Sequence, residues 1–266
     1  MNRQPVVAGQ FYPGNEAALK DKVAGYLHGE RDSQKTLLAM VPHAGYIFSG
    51  KVAGRTLARA NLASRVVLLG PNHTGRGAKI SVWPDGSWII PGGEIKVDQE
   101  LSSVLLGIDG FTADYDAHAG EHSLEVILPF LSVIRADFSM VPVAVSQTDL
   151  NNLLAAGKAI AHAVRQKDLE VSIVVSTDMS HYISHENASK VDAKALEQIL
   201  ELNPEGLYET VRANNISMCG VLPMVMGMAC VKELGAKKAE LVSYATSGEV
   251  NQDYSQVVGY AGMIIS

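Results

Sequence analysis

The chain has 266 residues, of which 47% are hydrophobic and 19% charged, and its formal net charge at pH 7 is −6. This composition excludes a disordered polypeptide, and an acidic balance without a dense run of lysine and arginine argues against a nucleic-acid-binding protein. The length suits an α/β fold built around one sheet, and we predict one domain over residues 1–266.

Signals for membrane insertion or export are not found in the sequence. The first residues, MNRQPVVAGQFYPG, lack the apolar core of a signal peptide. The longest apolar stretch, residues 219–231, is interrupted by Pro223 and is shorter than the roughly 20 residues that cross a hydrocarbon core. These features predict a cytoplasmic protein that does not bind membranes.

Short segments rich in β-branched residues alternate along the chain with segments of helical periodicity. Most of the strands are apolar throughout, which is typical of strands covered on both faces in a parallel sheet. The alternation predicts a layered α/β fold with a mainly parallel central sheet. The predicted strands cover residues 37–41, 65–69, 140–145, 171–175, 241–244 and 260–265, the clearest helices cover 150–164 and 191–200, and the glycine- and proline-rich residues 81–94 form an excursion or hairpin.

Reactive side chains follow three of these strands. LLAMVP is followed by His43, VVLLGPN by His73, and VSIVVST by Asp178, with His181 three residues later. Ligands gather at the carboxyl ends of strands in open α/β sheets, so these side chains are expected to meet at one edge. A lone histidine after a strand is more often a hydrogen-bonded loop residue, but its repetition on neighbouring segments favours a functional cleft.

Cys219 lies in NNISMCGVLPM, just before a predicted helix that ends near Gly235. A thiol at a helix N-terminus has a lowered pKa, because free N–H groups stabilise the thiolate. Two histidines and a thiolate suit iron(II), copper or zinc and leave coordination positions open. We therefore predict a metal site at His43, His73 and Cys219, and we expect Cys230, within the helix, to be inert.

Glu121 and His122 precede an apolar helix in the segment EHSLEVILPFL. In the simpler interpretation Glu121 only favours the helix dipole, and a role for both residues in the cleft is an equal alternative. The remaining histidines, at positions 28, 118, 162 and 185, follow no predicted strand and are expected to be solvated.

Seven short motifs occur in an order that resembles the Memo family. They are AGQFYP, PHAGYIFSG, LGPNHTG, EHSLEVILPFL, STDMSH, SMCG and YATSG, and they span nearly the whole chain. The resemblance implies the fold of class III extradiol dioxygenases, which are non-haem iron(II) enzymes with two histidine ligands and one glutamate ligand. At the matching positions it implies His43, His73 and Cys219 as ligands, with iron(II) the first expectation and copper or zinc the alternatives.

Two functions are compatible with this resemblance. The first is a metal-dependent redox enzyme with dioxygenase-like activity, in which Asp178 and His181 orient a ligand or transfer protons. The second is a non-catalytic binding or signalling protein whose vestigial cleft recognises phosphopeptides, or the radical SAM and AMMECR-like proteins associated with the family. The side chains expected to contact the substrate are Tyr12, Tyr46, Glu121 and His122, and the oligomeric state is left open.

Overall fold

The computed structural model describes all 266 residues, and strands alternate with helices along most of the chain. The strands are β1 (Asn2–Arg3), β2 (Leu38–Val41), β3 (Arg65–Pro71), β4 (Ile80–Val82), β5 (Ser87–Ile90), β6 (Gly93–Lys96), β7 (Phe111–Ala113), β8 (Ser139–Val145), β9 (Val171–Ser176), β10 (His181–Ile183), β11 (Ala239–Thr246) and β12 (Val257–Ile265). The α-helices are α1 (Glu16–Ala24), α2 (Tyr46–Arg59), α3 (Gln99–Leu106), α4 (Asp116–Ala119), α5 (Leu128–Ile134), α6 (Leu150–Gln166), α7 (His185–Leu200), α8 (Pro204–Ala213), α9 (Val221–Leu234) and α10 (Gly248–Asn251). The predicted α/β fold is confirmed, with strand and helix ends shifted by a few residues.

One nine-stranded sheet forms the centre of the molecule. Its order is β10-β12-β2-β9-β3-β8-β4-β7, and β11 pairs with β12. The four middle strands, β2, β9, β3 and β8, are parallel, as their continuous apolar sequences predict. The sheet is nevertheless mixed, because β12 pairs antiparallel with β2 and β4 pairs antiparallel with β8.

Helices cover both faces of this sheet. Alternate residues of β2, β3 and β9 point to opposite faces, so each strand contributes to two hydrophobic clusters. One cluster includes α6 and α9, and the other includes α2 and α5. Helices α6 and α9 approach so closely that a Cβ at Gly157 would collide with the backbone oxygen of Met226, which explains the glycine there.

A small second sheet joins the N-terminus to the predicted hairpin region. Strand β1 pairs parallel with β5, and β5 pairs antiparallel with β6 across the turn at residues 91–92. The expected excursion is therefore a hairpin that receives the first residues of the chain. Separately, none of the helices is both long enough and apolar enough to cross a membrane.

Candidate metal centre

Three imidazoles converge at the carboxyl edge of the parallel strands. His43 follows β2 and His73 follows β3, two strands separated in the sheet only by β9, while His122 comes from the loop before α5. One potential ligand atom from each of the three lies within 4.8 Å of the other two. Nitrogens bound tetrahedrally to one ion at about 2.1 Å are about 3.4 Å apart, so small ring rotations would bring the three into coordination distance.

The tautomer of His43 is determined by a hydrogen-bond chain behind the ring. The hydroxyl of Ser176 donates to the carbonyl oxygen of Ser123 at 2.7 Å, so its oxygen accepts at 2.8 Å from Nδ1–H of His43. Nε2 of His43 therefore carries the lone pair of the ring. Burial, together with the neighbouring His73 and His122, keeps the pKa of His43 well below its usual value.

A buried carboxylate orients His73 in a corresponding way. Nδ1–H of His73 donates to Oε1 of Glu121 at 2.9 Å, and Oε1 also accepts from the backbone N–H of Ser123 at 2.9 Å. Burial alone would lower the pKa of His73, but the hydrogen bond and charge of Glu121 raise it overall. Burial opposes ionisation of Glu121, yet its hydrogen bond and ion pair with His73 lower the pKa of this carboxyl to about 2. Carboxylate–histidine pairs of this kind fix ligand orientation in metal sites.

The ring of His122 is held by stacking. It lies nearly parallel to His73, with centroids 5.0 Å apart, and meets the edge of Phe11, also at 5.0 Å. Its Nδ1 is 3.6 Å from Oε1 of Glu121, which is beyond hydrogen-bond distance. His122 is therefore the one member of the cluster without a hydrogen bond to set its tautomer.

Asp178 and Cys219 also lie close to His43. Oδ1 of Asp178 accepts the backbone N–H of His43 at 2.9 Å, and Oδ2 lies 4.0 Å from Nε2 of that histidine. The Sγ atom of Cys219 is 3.5 Å from the same Nε2 and accepts the backbone N–H of Asp178 at 3.2 Å. Cys219 thus reaches His43, whereas the group of three mutually close ligand atoms consists of histidines only.

The helix predicted after Cys219 is α9, which begins at Val221 with Gly220 as the N-cap and ends at Leu234, next to the expected Gly235. The expected lowering of the thiol pKa is wrong for the metal-free protein. Desolvation by the surrounding protein, followed by the charge of Asp178, raises the pKa of Cys219 to about 12, which outweighs the stabilising N–H groups. Burial also raises the pKa of Asp178, to about 6.

His181 is partly exposed and anchored to the segment before Cys219. Its backbone N–H donates to Oγ of Ser217 at 2.7 Å, and its ring Nδ1–H donates to the backbone oxygen of Ser217 at 3.0 Å. The second ring nitrogen, Nε2, makes no hydrogen bond within the protein. The catalytic roles predicted for His181 and Asp178 stay predictions.

Three of the four residues expected to contact substrate are buried. Tyr12 is 3% exposed, and its hydroxyl donates to the carboxylate of Glu125. Tyr46 is 2% exposed, and its hydroxyl donates to the backbone oxygen of Val126. Glu121 is buried behind His73. The hydroxyls and the carboxylate of these three residues are thus engaged by the protein itself, whereas the side chain of His122 is 27% exposed. The substrate contacts expected of all four residues stay predictions.

Three residues that the sequence analysis did not select support the candidate site. Ser176, Arg3 and Glu125 were not among the candidate site residues. Ser176 lies at the polar end of β9, and Glu125 is the second glutamate of EHSLE, so the sequence carried a signal for these two but none for Arg3.

The expectation that His118 is solvated is wrong. Its side chain is completely buried, and its Nε2–H donates to the backbone oxygen of Ser81 at 3.0 Å.

The Glu121–His73 pair gives a testable prediction. Glu121→Gln keeps the side-chain shape but removes the charge that holds Nδ1–H of His73, so metal affinity should fall about 10–100-fold. The raised pKa of His73 means that a metal ion must displace its proton increasingly as pH falls below that pKa. As the pH is lowered, the metal affinity of the unmodified protein should therefore begin to fall at a higher pH than that of the variant, because His73 of the variant lacks the charge that raises its pKa. Cobalt(II) titrations from mildly acidic to mildly alkaline pH would measure both effects, and coincident curves would contradict them.

Comparisons with known proteins bear on this geometry. A family model described as Memo-like protein matches residues 3–264. A MEMO1 family protein of Methanopyrus kandleri is 42% identical over 279 aligned residues, covering 99% of each chain, and one of Aquifex aeolicus is 42% identical, covering 98% of each. The crystal structure of the uncharacterized protein JW3007 from Escherichia coli K12 aligns with a TM-score of 0.54 at 14% identity, covering 86% of this chain and 100% of the other. That likeness concerns the fold alone and is consistent with the class III extradiol dioxygenase-like architecture.

Proposed function

Because this chain belongs to the Memo-like protein family, we propose that it holds one redox-active metal ion at the edge of its sheet and uses it to oxidise a small organic substrate with dioxygen as the oxidant. The observation that carries the proposal is the convergence of His43, His73 and His122, with Nδ1 of the first two engaged by the surrounding protein so that Nε2 is the nitrogen left to bind a metal. Iron(II) is the first candidate and copper is an alternative; zinc suits the same ligands but has no change of oxidation state to supply to an oxidation.

The donor set supports a metal centre that includes Cys219. A thiolate sulfur at about 2.3 Å and an imidazole nitrogen at about 2.1 Å from one ion are about 3.6 Å apart when tetrahedrally arranged. The Sγ atom of Cys219 lies 3.5 Å from Nε2 of His43. We infer that His43 and His73 form the base of the site and that both His122 and Cys219 reach the ion, the thiol losing its proton on binding.

A metal bound there would supply Lewis acidity and a change of oxidation state. The protein supplies the rest of the chemistry. Asp178 is buried beside His43 and, with its pKa raised to about 6 by burial, can hold a proton at a carboxyl oxygen near the reacting atoms. His181, anchored through Nδ1, offers Nε2 for a further proton transfer.

Two variants test the ligand set. With cobalt(II) as the probe, the unmodified protein should bind about one equivalent and show a near-ultraviolet thiolate-to-metal band. Cys219→Ser should lose that band, and His122→Asn should keep it while binding cobalt more weakly and with altered visible absorption. No band in the unmodified protein would remove Cys219 from the ligand set, and an unchanged His122→Asn protein would remove His122. Oxygen uptake by the anaerobically iron-loaded protein would then test turnover.

The binding-protein alternative has less support. The aromatic residues available for such a rim are Phe11, Tyr12, Tyr46 and Phe48. Of these, Tyr12 and Tyr46 are buried in the second hydrophobic cluster, and only Phe11 and Phe48 are partly exposed. Phosphopeptide binding and association with radical SAM and AMMECR-like proteins are predictions from the family resemblance. Calorimetry with phosphotyrosine peptides would test the first directly.

A further inference from the structure

Residues 3–12, which we call the N-terminal strap, contact both halves of the candidate metal centre. The backbone oxygen of Phe11 accepts the N–H of Tyr46 at 2.8 Å, three residues after His43. The ring of Phe11 packs edge-to-face with the ring of His122, with centroids 5.0 Å apart. One strap residue therefore touches the His43 turn and the loop that carries His122.

Arg3 anchors the strap to that loop through three kinds of contact. Its guanidinium donates to the backbone oxygen of His118 at 2.8 Å and to that of Glu121, which belongs to the peptide joining Glu121 to His122. It pairs with Glu125 at 2.7 Å, with both side chains almost fully buried, and stacks 4.1 Å from the ring centroid of Trp88. A planar group that donates to three different acceptors and also stacks on an aromatic ring is specific to arginine.

Glu125 binds the strap at several points along its length. Its carboxylate accepts the backbone N–H groups of Val6 and Val7 at 2.9–3.0 Å and the hydroxyl of Tyr12 at 2.7 Å, in addition to Arg3. Since the carboxylate is completely buried, these donors are what make its charge tolerable. The path of the strap, and hence the position of Phe11, is fixed by residues of the metal-centre loop itself.

His122 has the greatest need of such support. His43 and His73 are oriented by hydrogen bonds, whereas the ring of His122 is oriented by ring contacts with Phe11, His73 and His43. Edge-to-face aromatic contacts favour a defined relative geometry. Phe11 is the one of these three rings that is not itself a candidate ligand, so without it His122 would contact only the two other imidazoles of the site.

We propose that the N-terminal strap is a working part of the metal centre, in which Phe11 positions the ring of His122 and Arg3 positions the peptide before it. The inference rests on the proposed function, because it takes His122 as a ligand. It assigns a role to the AGQFYP motif that neither the ligand set nor the proton transfers explain.

The test uses cobalt(II) with the full-length protein. Phe11→Ala should bind cobalt about tenfold more weakly and with shifted visible bands, because loss of an outer-shell partner costs about 10–100-fold in affinity. Phe11→Tyr, which keeps the ring, should restore the unmodified values. Tyr208→Ala, a partly buried aromatic on α8, is the matched control and should change neither affinity nor spectrum. Unfolding midpoints would establish that each variant is folded.

A double-variant comparison separates positioning from a general structural effect. In the His122→Asn background, Phe11→Ala should cause no further change in cobalt affinity or spectrum, because its target is gone. An equal effect in both backgrounds would overturn the proposal, as would unmodified binding by Phe11→Ala. Cobalt binding that survives His43→Ala unchanged would instead overturn the proposed site, so the two failures are distinguishable.

Arg3→Lys provides a second arm. Lysine keeps the positive charge for Glu125 but cannot donate in the fixed fork to two backbone oxygens. We expect weaker cobalt binding with the same direction of spectral shift as Phe11→Ala. A folded Arg3→Lys protein with unmodified affinity and spectrum would overturn the part of the proposal that concerns Arg3.

Discussion

Replacing His43 with alanine should abolish tight metal binding. His43 is 2% exposed and is the only residue whose ring lies within reach of the other histidines, Asp178 and Cys219 together. Its loss removes a donor, so the effect should exceed the roughly 10–100-fold change caused by losing an outer-shell partner. Metal analysis after anaerobic loading with iron(II), and cobalt titration, would measure it.

The matched control is His162→Ala. His162 is exposed on α6 and belongs to no cluster of ligand atoms, so its removal should leave one equivalent of metal bound with unchanged affinity. Circular dichroism would verify that both variants keep their secondary structure. One equivalent of metal bound at normal affinity by His43→Ala would mean that the site lies elsewhere.

Replacing Glu125 with alanine should strongly destabilise the fold. The variant leaves the buried guanidinium of Arg3 without its counter-charge and leaves the donors of the strap without an acceptor. Breaking a buried ion pair by removing one partner costs about 3–5 kcal/mol. Urea denaturation of the metal-free protein should show this loss as a lower midpoint with a similar slope.

Glu186→Ala is the control for this measurement. Glu186 pairs with Lys190 one turn along α7, and both side chains are largely exposed. Such surface pairs contribute about 0.3–0.5 kcal/mol, so the control should unfold almost like the unmodified protein. A loss below about 1 kcal/mol for Glu125→Ala would contradict the anchoring role assigned to the Arg3–Glu125 pair.

Much of the architecture was predictable because its causes are local. Continuous apolar segments predicted β2, β3, β8 and β9, and the helical stripe beginning at Leu150 predicted α6. The antiparallel pairings of the sheet could not be predicted in the same way, because β12 is as apolar as the parallel strands. The direction of its pairing with β2 depends on which neighbours are free in the folded sheet.

The candidate site was predictable to the extent that strand ends determine it. His43, His73 and Asp178 follow strands that are adjacent and parallel in the sheet, so their approach to one edge is a consequence of topology. The sequence pattern assigns His122 to substrate binding instead of the histidine cluster, because this residue follows no strand. The raised pKa of Cys219 has no signal in the sequence, because desolvation depends on the atoms packed around the sulfur.

The sequence by itself determined the family, the α/β class and two of the converging imidazoles, because each is encoded in short motifs or in the apolar pattern of single strands. Only the tertiary structure decided which side chains stand behind them. Ser176 sets the tautomer of His43 through a carbonyl 53 positions away, and Arg3 meets Glu125 across 122 positions. Contacts at that separation arise from the packing of loops against one another, which no local pattern of residues specifies.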